Sequence, residues 1–344
     1  VVPRSQVFVT RQIFPEALEM IAGEAELEVW PDEYPPSPEQ LRKKLAGVDA
    51  VLTTVMDRMD RAAMDAAPRL KIISQLAVGL DNVDVVEATR RGILVGHTPG
   101  VLAKATADLT FALLMSAARR VTEGDRWVHQ GNWRLAFHPL RWLGVDIHDA
   151  TLGIVGLGQI GLEVAKRARG FDMTLLYHSR TRNPQVESQY GLKYAELDAL
   201  LAASDFVSLH VPLTPQTRHY IGQRELRLMK PSAILVNVAR GMVVDSRALY
   251  TALKEGWIRG AALDVTDPEP IPADDPLLGL DNLVVTPHVG SATVAARRAT
   301  CLLAARNLVA GLKGQRLEAC ANPELYQPKG AQGGQAAPRL LTPE

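Results

Sequence analysis

Short apolar runs alternate along this chain with segments whose apolar residues recur at three- and four-residue spacing. Strands are expected at Val7 to Thr10, Glu26 to Trp30, Val51 to Thr54, Ile72 to Leu76 and Ile93 to Gly96. Helices are expected around Glu16 to Ala22, over Arg61 to Ala67, over Val83 to Arg90 and after Ser37. Ser37-Pro38-Glu39-Gln40 reads as a helix start, with Ser37 the cap and Pro38 at the first helical position. Strands alternating with helices of this length imply a parallel sheet with helices on both faces.

Thr98-Pro99-Gly100 breaks the alternation. The following stretch, about Lys104 to Arg120, is apolar on most of its faces, which predicts a buried helix joining or supporting two domains. Trp127, Trp133, Phe137 and Trp142 then fall in a stretch that reads as irregular. They suit either a local mini-core or, the favoured reading, a subunit contact, since aromatics are enriched at interface cores.

Alternation resumes with strands at Leu152 to Val155, Met173 to Tyr177, Phe206 to Leu209, Ala233 to Val238, Gly260 to Leu263 and Leu283 to Val285. Helices are expected after Gly161, near Leu197 to Ala202, at Arg224 to Leu228 and at Ser246 to Lys254. A long helix over about Thr293 to Lys313 could pass back to the first domain. From Pro328 the chain turns Gly-, Gln- and Pro-rich, which reads as a mobile tail.

The 344 residues suffice for two domains, each with its own core. Lys plus Arg and Asp plus Glu both number 38, so nothing points to nucleic acid or an anionic membrane as a partner. No apolar run reaches the ~20 residues that span a bilayer. Two cysteines, Cys301 and Cys320, are too few for a disulfide framework or a metal cluster, so no metal site is expected and a reducing compartment, the cytoplasm, fits.

Candidate chemistry begins at Gly156-Leu157-Gly158-Gln159-Ile160-Gly161, set between a strand and an amphipathic segment. Gly156 allows a tight turn, Gly158 lets the backbone approach a pyrophosphate, and Gly161 lets the helix pack close to the sheet. Phosphates would sit on the helix N-terminus. Further informative segments follow later strands: Asn237-Val238-Ala239-Arg240-Gly241, Leu263-Asp264-Val265, Pro268-Glu269-Pro270 and Thr286-Pro287-His288-Val289-Gly290-Ser291.

Taken with the glycine motif, these segments make residues 6 to 322 resemble the D-isomer-specific 2-hydroxyacid dehydrogenase family, most of all its glyoxylate and hydroxypyruvate reductases. LDVTDPEPIP, PHVGSAT and LLAARNLVAGLKG carry the finer likeness. The resemblance implies two doubly wound, Rossmann-like parallel-sheet domains with the active site in a cleft between them. Residues 6–102 plus 290–322 would bind substrate, 103–289 would bind the dinucleotide, and 323–344 would form a tail. Helices 104–120 and 293–313 would be the crossing points.

Reducing a 2-oxo acid takes a hydride, a proton for the developing alkoxide and a cation for the carboxylate. His288 suits the proton donor because an ordinary imidazole titrates near neutrality. Glu269 would favour its imidazolium form, and Arg240 offers a planar fork of donors to the substrate. The family gives those roles to these motif positions. It also implies that the backbone N–H groups of Val78 and Gly79 hold the substrate carboxylate. Thr106, Pro212, Thr217, Val238, Ala239 and Gly290 would border the cofactor, and Asp264 would contact the carboxamide or help set the pH response. The remaining histidines, His210 among them, read as structural or surface residues.

An NAD-specific site would place an acid near position 179, where this chain has His178-Ser179-Arg180-Thr181-Arg182. The hydroxyls of Ser179 and Thr181 and the cations Arg180 and Arg182 suit a 2′-phosphate, so NADPH is the expected cofactor, with NADH as an alternative. His178 either adds a donor or lies at the surface. The family also implies a homodimer through the cofactor domain. Formate dehydrogenases of this fold replace the acid of the pair with an amide, and phosphite dehydrogenases carry a lysine where Val78 stands. A corepressor-like scaffold that binds a dinucleotide, or a dehydrogenase for another 2-hydroxy acid, fits the same residues.

Overall fold

The computed structural model describes residues 3–327. They fall into two compact units, 3–99 with 300–327 and 100–299. The expected tail from Pro328 onward lies outside the described residues.

The smaller unit has strands β1 (Gln6–Val9), β2 (Glu26–Val29), β3 (Ala50–Thr53), β4 (Ile72–Gln75) and β5 (Leu94–Gly96). They form one parallel sheet in the order β2-β1-β3-β4-β5. Helices α1 (Pro15–Glu24), α2 (Pro38–Leu45), α3 (Arg61–Asp65) and α4 (Val85–Arg90) connect them. Ser37 caps α2 in a reciprocal bond pair with Gln40, and Pro38 opens the helix. Successive strand residues serve opposite faces: Phe8, Val51 and Ile73 enter one core, Val7, Val9, Leu52 and Ile72 the other. Burial on both faces is why these strands read as continuous apolar runs.

In the larger unit α5 (Ala103–Arg119) and α6 (Val121–His129) precede a seven-stranded parallel sheet. Its strands are β6 (Thr151–Val155), β7 (Thr174–His178), β8 (Leu192–Tyr194), β9 (Phe206–Leu209), β10 (Ile234–Asn237), β11 (Gly260–Leu263) and β12 (Leu283–Val285), ordered β12-β11-β10-β9-β6-β7-β8. Helices α7 (Gln159–Ala168), α8 (Pro184–Tyr190), α9 (Leu197–Ala203), α10 (Gln223–Leu228) and α11 (Ser246–Lys254) link them. The last long helix, α12, spans Val294–Leu312. Among the described residues no helix is long and apolar enough to cross a membrane.

Several expectations change. α5 belongs wholly to the larger unit, where Phe111, Leu114 and Ala118 enter the same core as Leu152 and Ile154 of β6, so the first crossing precedes it. The second crossing falls inside α12, the helix expected to carry it, at 299/300, whereas the domain boundary was expected at 289/290. The Gly290 N–H bonds Asp264 in the larger unit at 2.8 Å, which draws that segment into it. Residues 323–326 are no tail: Pro323–Tyr326 forms a 3-10 turn, and the Tyr326 hydroxyl accepts from the Leu317 N–H at 3.0 Å. The aromatic stretch is not wholly irregular either, because α6 occupies its start. No residue of α6 is buried.

Candidate active site

β6 pairs with β7 on one side and β9 on the other, so the chain's connections diverge at its carboxyl end. Such a switch point is where an open α/β sheet leaves a crevice for ligand. The glycine turn sits there. Gly156 has φ 99°, and a Cβ on it would come 2.8 Å from the carbonyl carbon of His210. A Cβ on Gly161 would lie 2.3 Å from the Gly156 oxygen, which explains the close packing of α7 on the strand. Gly158 differs: a Cβ there would meet nothing within 4 Å, and no side chain caps α7. Open space before uncapped N–H groups fits a pyrophosphate. Leu157 and Ile160 pack their side chains on the core, while Gln159 stays exposed.

Other expected cofactor residues lie along the carboxyl edge of this unit. The Thr217 hydroxyl donates to the Pro212 carbonyl at 2.6 Å and folds the turn after β9 on itself. Val238 is buried, and the Ala239 N–H donates to the Asn237 side chain at 3.0 Å. Thr106 is buried with its methyl 3.3 Å from where a Cβ on Gly290 would stand. His210 ends β9 with its Nε2 2.8 Å from the Ser208 hydroxyl. Burial pushes its pKa down to about 3, so the ring is neutral, as a structural histidine should be.

The loop after β7 departs from expectation in one respect. Arg180 is exposed, and the Ser179 hydroxyl donates to the Thr181 carbonyl at 2.6 Å. Arg182, however, is engaged: its Nε and Nη2 donate to the two carboxylate oxygens of Glu187, each at 2.8 Å. Glu187 lies five residues on, across a turn, and was not singled out in the sequence. His178 is tied to the protein as well, with Nδ1 3.1 Å from the Ala195 carbonyl and Nε2 3.3 Å from the Tyr220 hydroxyl. That assigns it to holding the strand end, not to the surface.

Three adjacent strands, β10, β11 and β12, deliver the remaining chemistry. Arg240 follows β10, and its carbonyl accepts from the Asn237 side chain at 2.9 Å. A Cβ on Gly241 would lie 1.8 Å from the Thr266 carbonyl oxygen, so the chain after Arg240 passes tight against the segment leading to Glu269. His288 follows β12 with φ 53°, a left-handed conformation uncommon for this residue type and frequent at functional sites. Its Nδ1 is 2.6 Å from Glu269 Oε1, and Glu269 Oε2 accepts from the Thr266 N–H at 3.2 Å. Burial pushes the Glu269 carboxyl up, but the bond to and charge of His288, the Thr266 N–H and the charge of Arg240 together hold it below the ordinary carboxylate range.

Asp264, after β11, has a structural role beside the one expected of it. Its buried carboxylate accepts from the Thr286 hydroxyl at 2.6 Å and from the Val289 and Gly290 N–H groups at 2.8 Å each. Its carbonyl accepts from the His288 N–H at 2.9 Å. Asp264 therefore fixes the backbone on both sides of His288.

In the smaller unit Val78 and Gly79 follow β4. Val78 is 36% exposed, and its carbonyl is 3.2 Å from His97 Nδ1. The loop is pinned below by Gln75, which receives the Thr53 hydroxyl at 2.7 Å and donates to Asn82 at 2.8 Å. This Thr53-Gln75-Asn82 chain carried no recognisable signal, since its members meet only through the strand pairing of β3 with β4.

Known proteins resemble this chain in sequence and fold. Residues 111–290 match the model of the D-isomer specific 2-hydroxyacid dehydrogenase NAD binding domain. A glyoxylate reductase of Korarchaeum cryptofilum is 52% identical over 312 residues, 91% of this chain and 94% of that protein. Among solved structures, the TT0316 protein of Thermus thermophilus superposes with TM-score 0.87 at 45% identity, covering 92% of this chain and 99% of that one. An NADPH-dependent glyoxylate/hydroxypyruvate reductase of Sinorhizobium meliloti, solved with NADP and malonate, gives TM-score 0.82 at 32% identity over 92% of this chain and 97% of that one. With such matches spanning both units and a sheet order that puts the glycine turn at the switch point, the chain belongs to the D-isomer specific 2-hydroxyacid dehydrogenase family.

Proposed function

We propose that this protein reduces small 2-oxo acids, glyoxylate and hydroxypyruvate, to the D-2-hydroxy acids. What supports this above all is the His288–Glu269 pair at 2.6 Å, with Arg240 close enough for its charge to act on Glu269. A bound reduced nicotinamide would supply the hydride. Glu269 engages Nδ1 of the imidazolium, which leaves Nε2 to pass a proton to the substrate oxygen. Arg240 holds the carboxylate and polarises the carbonyl. The glyoxylate reductase name of the archaeal relative favours these substrates. Following reduced-cofactor absorbance with a panel of 2-oxo acids tests the reading, and no turnover of any of them would overturn it.

NADPH is the preferred cofactor in this proposal, because no acid stands between Leu175 and Pro184 to repel a 2′-phosphate and Arg180 is exposed there. The NADP-bound relative points the same way. A higher kcat/KM with NADH would refute it. The protein is further proposed to act as a homodimer in a reducing compartment, the cytoplasm. Trp133, Phe137 and Leu140 are 62%, 78% and 77% exposed in one stretch, which is costly to leave in water. A concentration-independent monomer mass in ultracentrifugation would exclude the dimer.

A further inference from the structure

Glu187 belongs to no motif, and the reaction does not use it. Yet its carboxylate is the hub of a polar cluster directly beneath the cofactor loop. Tyr177, a β7 residue fully buried in the core, donates its hydroxyl to Glu187 Oε1 at 2.7 Å. The same hydroxyl accepts from the Asn183 N–H at 2.8 Å. Arg182 closes the cluster with its two-pronged bond to Glu187. Asn183 also caps α8, accepting from the Val186 N–H at 3.2 Å, and Pro184 opens that helix. Strand end, loop and helix start are thus joined at one carboxylate, whose side chain is 13% exposed against 62% for Arg182. Charge-assisted bonds from Arg182 and the Tyr177 hydroxyl hold the Glu187 pKa down to about 2, so the carboxylate stays charged in mild acid.

Resting on the NADPH reading above, we infer that Tyr177, Glu187 and Arg182 form a brace that presets the 179–181 loop for the 2′-phosphate, with Arg182 a positioning residue and Arg180 the phosphate's cation. A planar guanidinium held by two parallel bonds is fixed in direction as well as place, which suits it to shaping a loop. Arg180, by contrast, is exposed and makes no ion pair among the described residues. A preset loop spares the cofactor the cost of ordering it.

The test compares Glu187→Gln, Arg182→Gln, the double variant and Tyr177→Phe in the full-length protein. Each single variant of the ion pair should raise the NADPH dissociation constant by about three- to tenfold, the coupling expected within one hydrogen-bond network, with a smaller change for NADH. The double variant should be no worse than either single one, and kcat at saturating NADPH should hold. Arg182→Gln acting far more strongly than Glu187→Gln, with additive losses, would make Arg182 a direct phosphate ligand and overturn the brace. Tighter NADPH binding in Glu187→Gln would overturn it too, since Glu187 would then be withholding Arg182. Hydrogen exchange is the readout independent of cofactor choice: the amides of 180–183 should exchange faster in Glu187→Gln and Tyr177→Phe, and unchanged protection refutes the brace. A wild-type preference for NADH would refute only the cofactor reading.

Discussion

His288 Nδ1 stands 2.6 Å from Glu269 Oε1, and Glu269 is held below the ordinary carboxylate range. The carboxylate therefore stays charged in mild acid, where a free carboxyl would begin to protonate, and goes on stabilising the imidazolium. Glu269→Gln has no carboxyl to titrate there, so the loss of reduction that wild type shows as pH falls through the lowered Glu269 pKa should be absent from the variant. A pH profile of kcat for glyoxylate reduction checks this, and a superimposable profile would separate Glu269 from the proton transfer.

Replacing His288 by Ala should lower reduction by about 10² to 10⁴. Cofactor affinity should hardly change, which fluorescence titration with NADPH can establish. Near-normal turnover would take the acid role from His288.

Two glycines of one motif should fail differently. A Cβ on Gly161 meets the Gly156 carbonyl oxygen at 2.3 Å, so Gly161→Ala should cost about 1–3 kcal/mol of stability and lower Tm. A Cβ on Gly158 meets nothing within 4 Å, so Gly158→Ala should keep Tm and lose cofactor affinity. Calorimetry beside a binding titration distinguishes them, and equal Tm losses would contradict the assignment of open space at Gly158.

Asp264→Asn swaps an acceptor for a donor against the N–H groups of Val289 and Gly290 or the hydroxyl of Thr286. Leaving one such buried group unpaired costs about 1–3 kcal/mol. The loop carrying His288 should loosen, and both Tm and kcat should drop. An unchanged kcat would show that the loop needs no such anchor.

The sequence disclosed what depends on near neighbours. β9, β11, β12 and α11 lie where their apolar patterns placed them, and Ser37 caps α2 as its tetrapeptide implied. The family is shown, and the structure joins His288 to Glu269 across 19 residues, a meeting indicated by resemblance and not by spacing. What stayed hidden depends on strand register or on short polar elements. Asp264 stood out by its place after a strand, but its bonds to the His288 loop appear only once parallel pairing sets β11 beside β12. α8 and β8 lacked an apolar signature, although Asn183-Pro184 and Gly191, at φ 73°, carry helix start and stop signals. Arg182 shows why a loop cation cannot be assumed available: its partner is five residues away.

The order of the seven strands has a practical consequence. β7, which leads into the 179–182 loop, lies on one side of β6, whereas β10, β11 and β12 carry Arg240, Asp264 and His288 on the other. Five strand spacings separate β7 from β12, roughly 24 Å at ~4.8 Å each. Under the proposed function the two places meet only through the bound dinucleotide, so exchanging residues 174–190 for those of an NADH-using relative should change cofactor choice and leave the His288–Glu269 pair in place.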